Sequence, residues 1–160
     1  MRRVIEVGAG ILTAVLAAAV LARIHPLAGE VINPFVVLAL LVGFIRGEIA
    51  GAWAGMAGGL VADALSLGLF GVAGIALTTA GFLAGFVSRK INVLSLGRLL
   101  GFFLALSAVS LGLWMGLAGL IYGRPGPWSG GLILVQPGAN AVLAAALERA
   151  LAGFRKARGR

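Results

Sequence analysis

The chain has 160 residues, of which 61% are apolar and only 11% are charged. Charged residues make up about a quarter of an ordinary soluble domain, so this composition excludes that class. The net charge of +8 comes from basic residues between apolar runs or at the termini. Because they are not interleaved with aromatic residues, they indicate cytoplasmic loop charges and no nucleic-acid partner.

Six apolar segments follow one another along the chain and predict six transmembrane helices. The segments cover residues 4–22, 31–45, 48–66, 71–88, 97–121 and 131–153. At about 20 residues per crossing they use up the chain, so residues 1–160 are predicted to be a single transmembrane helical domain. Asn33 and Pro34 are a cap and a first-turn proline for the second helix. Pro137 predicts that the last helix is kinked or starts late.

The basic residues predict the orientation of the helices. With an even number of spans and a cytoplasmic N-terminus, the cytoplasmic side receives eleven of the 13 Lys and Arg residues. Only Arg23 and Arg124 remain outside. Such an excess of positive charge on one side is typical of cytoplasmic loops, so both termini are predicted to be cytoplasmic.

A row of small residues at every fourth position runs from Gly43 to Asp63. Between these two residues, Gly47 directly precedes the third segment, and Gly51, Gly55 and Gly59 lie within it. Glycine weakens a helix in water by about 1 kcal/mol relative to alanine, but in a bilayer such rows let helix backbones approach closely. Because residues four apart drift about 40° around the axis, one straight neighbour cannot cover the whole row. The third helix is therefore predicted to be central and to contact two or more neighbours.

The first helix carries a second row of small residues. Its members are Gly10, Ala14, Ala18 and Ala22. Because this helix is at the end of the chain, the row is predicted to serve helix packing and to face a partner protein. Together the two rows form the predicted helix-packing and partner interface.

Three polar residues lie inside apolar runs. Asp63 is the only carboxylate well within such a run, which makes it a functional candidate. The alternative is an interfacial acid that caps a helix or pairs with Arg23 or Arg124. Gln136 and Asn140 place amides in the last helix, where hydrogen bonding between helices is favoured over a ligand site.

No arrangement of residues predicts an enzyme. The chain has no cysteine, and Ser66, Ser107 and Ser110 have no base in a recognisable arrangement. His25 has no second histidine or acid at ligand spacing, so neither a metal site nor a cofactor is predicted.

These features resemble the rod shape-determining protein MreD family along nearly the whole chain. The likeness rests on Pro34, Phe35, Gly47, Gly55, Gly59, Leu60, Asp63, Leu67, Gly68, Gly71, Gly81 and Gly85, and on Pro137 with Asn140 in the last helix. Members of the family often carry an acid directly after the early proline. Phe35 stands there in this chain, which argues against a role for that position.

The resemblance implies a non-enzymatic, multi-pass component of the bacterial inner membrane that supports cell shape and lateral peptidoglycan synthesis. Its implied partners are the bitopic protein MreC and, directly or through it, the filament protein MreB, the polymerase RodA and a class B penicillin-binding protein. Self-association into a homo-oligomer is a further alternative.

Substrate-binding S-components of energy-coupling-factor vitamin transporters are the main alternative. They also have six helices, cytoplasmic termini and a row of small residues on helix one, as at Ala14, Ala18 and Ala22, and the two families share the bundle that we expect here. A vitamin site needs convergent polar and aromatic side chains in the outer half. The chain supplies few of these, namely Asp63, Gln136, Asn140 and Trp128.

Overall fold

All regular structure in the described part of the chain is helical, as the sequence predicts. The computed structural model describes residues 2–25, 28–66, 70–91, 95–122 and 132–158. The helices are α1 (Arg2–Ile24), α2 (Ala28–Val31), α3 (Pro34–Arg46), α4 (Glu48–Ser66), α5 (Val72–Ser88), α6 (Leu96–Tyr122) and α7 (Gln136–Arg158), and a 3₁₀ turn at Leu132–Val135 precedes α7. The six long helices correspond to the six predicted segments.

Two of the helix starts follow directly from local sequence. The side-chain oxygen of Asn33 accepts hydrogen bonds from the backbone N–H groups of Phe35 (3.1 Å) and Val36 (3.4 Å). Pro34, which has no N–H to satisfy, is the first residue of α3. Pro137 is the second residue of α7, so the last helix starts late, which was one of the two expectations for it.

Gly47 separates α3 from α4 and divides the predicted glycine row between two helices. Its φ of 99° lies in the left-handed region that favours glycine. The chain reverses there, so Gly43 of α3 and Gly51 of α4 face each other across the hairpin. A Cβ built on Gly51 would lie 2.6 Å from the Cα of Gly43.

The central helix is α3, and the prediction that residues 48–66 form the centre of the bundle is wrong. Helix α3 contacts α1, α4, α5, α6 and α7, whereas α4 contacts α1, α3 and α5. Leu40 and Ala39 of α3 are fully buried. The physical reason is that α3 is apolar on all sides before Arg46, and a helix of that kind is stable when other helices surround it.

Aromatic side chains join α3 to α6. The ring of Phe44 lies 5.6 Å from that of Phe102 and 5.5 Å from that of Phe103, measured between centroids. Phe103 is fully buried. Aromatic pairs at such separations stabilise a core beyond the area that they bury.

Two helices in the described ranges, Glu48–Ser66 and the Leu96–Ile121 part of α6, are long and apolar enough to cross a membrane. In the 18-residue apolar window of each helix, 33% of the first and 28% of the second is buried inside the protein. Large apolar side chains elsewhere are also exposed, including Leu16 at 58% and Ile75 at 57%. Exposed apolar surface on this scale is compatible with a membrane location.

Candidate functional site

The glycines of α4 lie in a close interface with α5. A Cβ built on Gly51 would overlap the carbonyl oxygen of Gly81, and one built on Gly55 would overlap the carbonyl oxygen of Leu77. A Cβ on Gly59 would lie 2.6 Å from the carbonyl oxygen of Ala73. The two backbones are therefore in direct contact, and only glycine fits at these positions. This face of α4 is used inside the chain and is not open to a partner.

One neighbour, α5, meets Gly51, Gly55 and Gly59, although we expect that one straight helix cannot cover the whole row. That expectation assumed a straight, parallel neighbour. Rows of residues four apart are inclined by about 26° to the helix axis, and a helix that crosses at a similar inclination follows them. Helix α4 does contact a second neighbour, α3, where Phe35 packs 3.6 Å from a Cβ built on Gly58.

Gly47 serves the turn at the other end of α4. A Cβ built there would overlap the guanidinium of Arg89, which crosses the turn and pairs with Glu48 at 3.2 Å. Glu48 is the first residue of α4, where a carboxylate is favoured by the helix dipole. The contact joins the start of α4 to the end of α5.

Asp63, at the end of the glycine row, caps α5. Gly71, which precedes the first residue of α5, has a φ of 100° and no side chain that could cap the helix. The carboxylate of Asp63 instead accepts hydrogen bonds from the backbone N–H groups of Gly71 (2.8 Å), Ala73 (3.1 Å) and Gly74 (3.3 Å). A negative charge at this end of a helix is also favoured by the helix dipole.

The structure therefore supports the alternative in which Asp63 caps a helix. The side chain is 4% exposed, and both carboxylate oxygens accept hydrogen bonds from α5. Arg23 is exposed on α1, and Arg124 lies outside the described residues. The interaction that the structure describes for the carboxylate is the helix cap.

Asn140 joins three helices. Its Oδ1 accepts a hydrogen bond from the backbone N–H of Asn33 at 2.9 Å, and its Nδ2 donates to the hydroxyl of Ser107 at 3.2 Å. The side chain is fully buried. Its two hydrogen bonds connect α7 to the start of α3 and to α6. This is the hydrogen bonding between helices that the sequence favours. Gln136, the first residue of α7, is 9% exposed.

The small residues of α1 face the interior only in part. A Cβ built on Gly10 would lie 2.8 Å from Cδ1 of Leu38, and Ala14 is buried at 5% exposure. Ala18 is half-buried, and Ala22 is exposed. The row thus packs against the core from Gly10 to Ala18, and only Ala22 at its end is exposed.

A cavity of about 590 Å³ lies beside the end of this row and is lined in part by Ala18 and Ala22. It is at the end of the bundle where α1 and α4 finish and α3 and α5 begin, which we call the distal end. Its lining includes Val15, Ala18, Ala19, Ala22, Gly29, Ile32, Asn33, Pro34, Phe35, Ala62, Asp63, Leu65, Ser66, Ala73 and Trp114. Most of these side chains are apolar.

The sequence analysis missed a third row of small residues, on the outward face of α6, which we call the α6 small-residue face. Its members are Gly97, Gly101, Ala105, Ala108, Gly112, Gly116 and Gly119. A Cβ built on any of these five glycines would meet no atom of another described segment within 4 Å. The steps of four and three residues that mark one side of a helix were the signal that could have found this face.

No group of three or more His, Asp or Glu side chains that could hold a metal ion occurs among the described residues. Ser107 accepts the hydrogen bond from Asn140, and the Ser66 hydroxyl donates to the backbone carbonyl of Asp63 at 3.2 Å. The geometry at these two serines is therefore that of hydrogen bonds between and within helices.

Comparison of the chain with protein-family models, with curated proteins and with solved structures finds no match.

Proposed function

We propose that this chain is a non-enzymatic, six-span scaffold of the bacterial inner membrane, similar to the rod shape-determining protein MreD family. Its direct partner is the single transmembrane helix of MreC. Through MreC it supports MreB, RodA and a class B penicillin-binding protein in cell elongation. The α6 small-residue face is the observation that carries the proposal.

The open glycines of α6 argue for a missing neighbour. Glycine is required at positions 51 and 55 because the backbone of α5 touches them. In contrast, a Cβ built on Gly112 or Gly116 would meet no atom of another described segment within 4 Å. Glycine at an open helical position stabilises nothing within the fold. Rows of small residues in membrane helices allow another helix to approach closely. A single-span partner helix is the kind of molecule that fits a face running the length of α6.

The direction of the helices supports the proposed orientation. Antiparallel packing of α3 on α4 and of α4 on α5 brings Arg46 and Arg89 to the end opposite the distal end. The aromatic contacts of Phe44 with α6 place the start of α6, with Arg98, at that same end. With this basic end in the cytoplasm, both termini are cytoplasmic.

The polar groups within the bundle support a scaffold over an enzyme. Asp63 caps α5, and Asn140 joins three helices, so the two strongest candidates for chemistry hold the fold together. A buried polar side chain with such partners gives a membrane bundle a specific packing.

The test is recovery of MreC from membranes. We would co-express the tagged chain with MreC of the same organism, solubilise the membranes in mild detergent and measure the MreC that co-purifies. Replacing both Gly112 and Gly116 by leucine should remove most of the MreC without lowering the yield of the chain itself. The control is Gly153→Leu, which changes an open glycine of α7.

Recovery of MreC at the wild-type level with the double variant would contradict the α6 small-residue face as its binding surface. Loss of a crosslinked dimer of this chain in the double variant, with MreC retained, would assign the face to a homo-oligomer instead.

The alternative function is that of a vitamin-binding S-component, and the distal cavity is the observation that favours it. Its volume of about 590 Å³ is within the range of small-ligand pockets, about 300–1,000 Å³. The same purification separates the two proposals, because an S-component would co-purify with a membrane coupling protein and paired ATPases.

A further inference from the structure

We propose that the distal cavity binds the hydrocarbon chain of a membrane lipid. The inference needs the bundle to lie in a membrane, which is part of the proposed function, but it does not depend on the partner. It differs from the vitamin alternative in the chemistry of the ligand, since the cavity is matched here to an apolar chain.

The wall of the cavity is mainly apolar. Valine, alanine, leucine and isoleucine side chains from α1, α4 and the segment before α3 line it, together with Phe35 and Trp114. Apolar cavities exclude water and take up apolar molecules. The composition of the wall therefore favours a hydrocarbon ligand.

The side-chain oxygens of Asp63, Asn33 and Ser66 in the wall are hydrogen-bonded within the protein. Asp63 accepts hydrogen bonds from the backbone N–H groups of Gly71 and of two residues of α5, and Asn33 accepts two from the first turn of α3. The hydroxyl of Ser66 donates to the carbonyl of Asp63. A hydrophilic ligand would have to compete with these hydrogen bonds, and breaking them would leave buried donors unpaired. A lipid chain makes no such demand.

Two helices that line the cavity, α1 and α6, are not packed against each other in the described part of the chain. Helix α1 contacts α2, α3 and α4, but no contact joins it to α6 within the described ranges. Nevertheless, Ala18 of α1 and Trp114 of α6 line the same cavity. In the proposed complex, the lipid chain passes between these two helices from the hydrocarbon region of the bilayer. A lipid chain could enter there without passing through water.

The depth of the cavity matches one leaflet. Trp114 lies eight residues before the end of α6, and Val15 lies nine residues before the end of α1. At 1.5 Å per residue, the cavity reaches about 12–14 Å from the distal end. Half of the hydrocarbon core of a bilayer is about 15 Å thick. The proposed ligand is therefore a chain of a lipid in the leaflet at the distal end.

Trp114 provides a direct test, because its fluorescence is quenched when a brominated acyl chain lies against it. Trp53 and Trp128 would be replaced by phenylalanine, which leaves Trp114 as the only one of the three tryptophans. The full chain would be reconstituted into vesicles of phosphatidylglycerol and phosphatidylcholine in which the phosphatidylcholine carries a dibrominated chain. We expect strong quenching of Trp114 relative to vesicles without bromine.

Two variants would show whether the quenching lipid occupies the cavity. Ala18→Phe fills it from α1 and should remove most of the quenching, whereas Ala64→Phe changes an exposed alanine outside the wall and should leave it unchanged. Ala62→Phe fills the cavity from α4 and replaces Ala18→Phe if that variant does not fold. Equal quenching in the filling and control variants would overturn the proposal. Quenching of Trp114 by aqueous acrylamide, with none by the brominated lipid, would also overturn it, because the cavity would then contain water.

Discussion

Helices α4 and α6 are both rich in glycine, but their glycines meet opposite surroundings. On α4, a Cβ at Gly51, Gly55 or Gly59 would collide with the backbone of α5. On α6, a Cβ at Gly112 or Gly116 would meet no described atom within 4 Å. The comparison teaches that a row of small residues predicts close approach of a helix, but does not say whether that helix belongs to the same chain.

Replacing Gly55 by leucine should have the largest effect on stability. Overpacking a well-packed interior typically costs about 1–3 kcal/mol, and we expect at least the upper value here because backbone atoms occupy the space. The measurement is the free energy of unfolding in detergent, with Gly116→Leu as the matched control. Equal destabilisation of the two leucine variants would contradict the difference between the packed glycines of α4 and the open glycines of α6.

Replacing Asp63 by alanine should destabilise the fold by about 2 kcal/mol, the upper value for loss of a helix cap, because three N–H groups at the start of α5 and just before it lose their acceptor. Asp63→Asn keeps one acceptor oxygen, so its thermal midpoint in detergent should fall between those of the wild type and Asp63→Ala. If alanine leaves the midpoint unchanged but reduces recovery of MreC, Asp63 belongs to the partner surface and the capping role is secondary.

Replacing Asn140 by alanine should cost about 1 kcal/mol, a typical value for hydrogen bonds between membrane helices. The change removes the acceptor for the Asn33 N–H and the donor to Ser107. Ser107→Ala removes only the second interaction and should cost less. Equal thermal midpoints for these two variants would show that the bond to Asn33 contributes nothing measurable.

Replacing Gly116 by alanine should have the smallest effect and the opposite sign. Alanine is favoured over glycine in a helix by up to about 1 kcal/mol, and the position has room for a methyl group. We expect a slightly higher thermal midpoint for the isolated chain. Gly55→Ala, measured beside it, should lower the midpoint, and a gain in both variants would remove the distinction between the two helices.

The positions of the helices could be predicted because apolar runs and local caps determine them. Asn33 and Pro34 mark the start of α3 in the sequence as clearly as in the structure, and α4 has the predicted bounds of residues 48–66. These features depend on neighbours a few residues away. The periodic pattern of one segment is therefore enough to find them.

The packing partners could not be predicted from one segment at a time. The carboxylate of Asp63 accepts hydrogen bonds from the backbone N–H groups of Gly71, Ala73 and Gly74. Because every residue except proline has such a group, the sequence does not show which of them the carboxylate will bind. The central position of α3 likewise depends on how five other helices surround it. The outward direction of Gly112 depends on which side of α6 the remaining helices cover.

The hydrogen bond between Asn33 and Asn140 has a consequence for biosynthesis. During translation the ribosome makes Asn33 more than a hundred residues before Asn140. The backbone N–H of Asn33 therefore lacks this acceptor until the last helix has been synthesised. An unpaired donor at a partly buried position is costly, and cells remove incompletely folded chains with chaperones and proteases. A nascent protein truncated before α7 should therefore be degraded faster than the finished one.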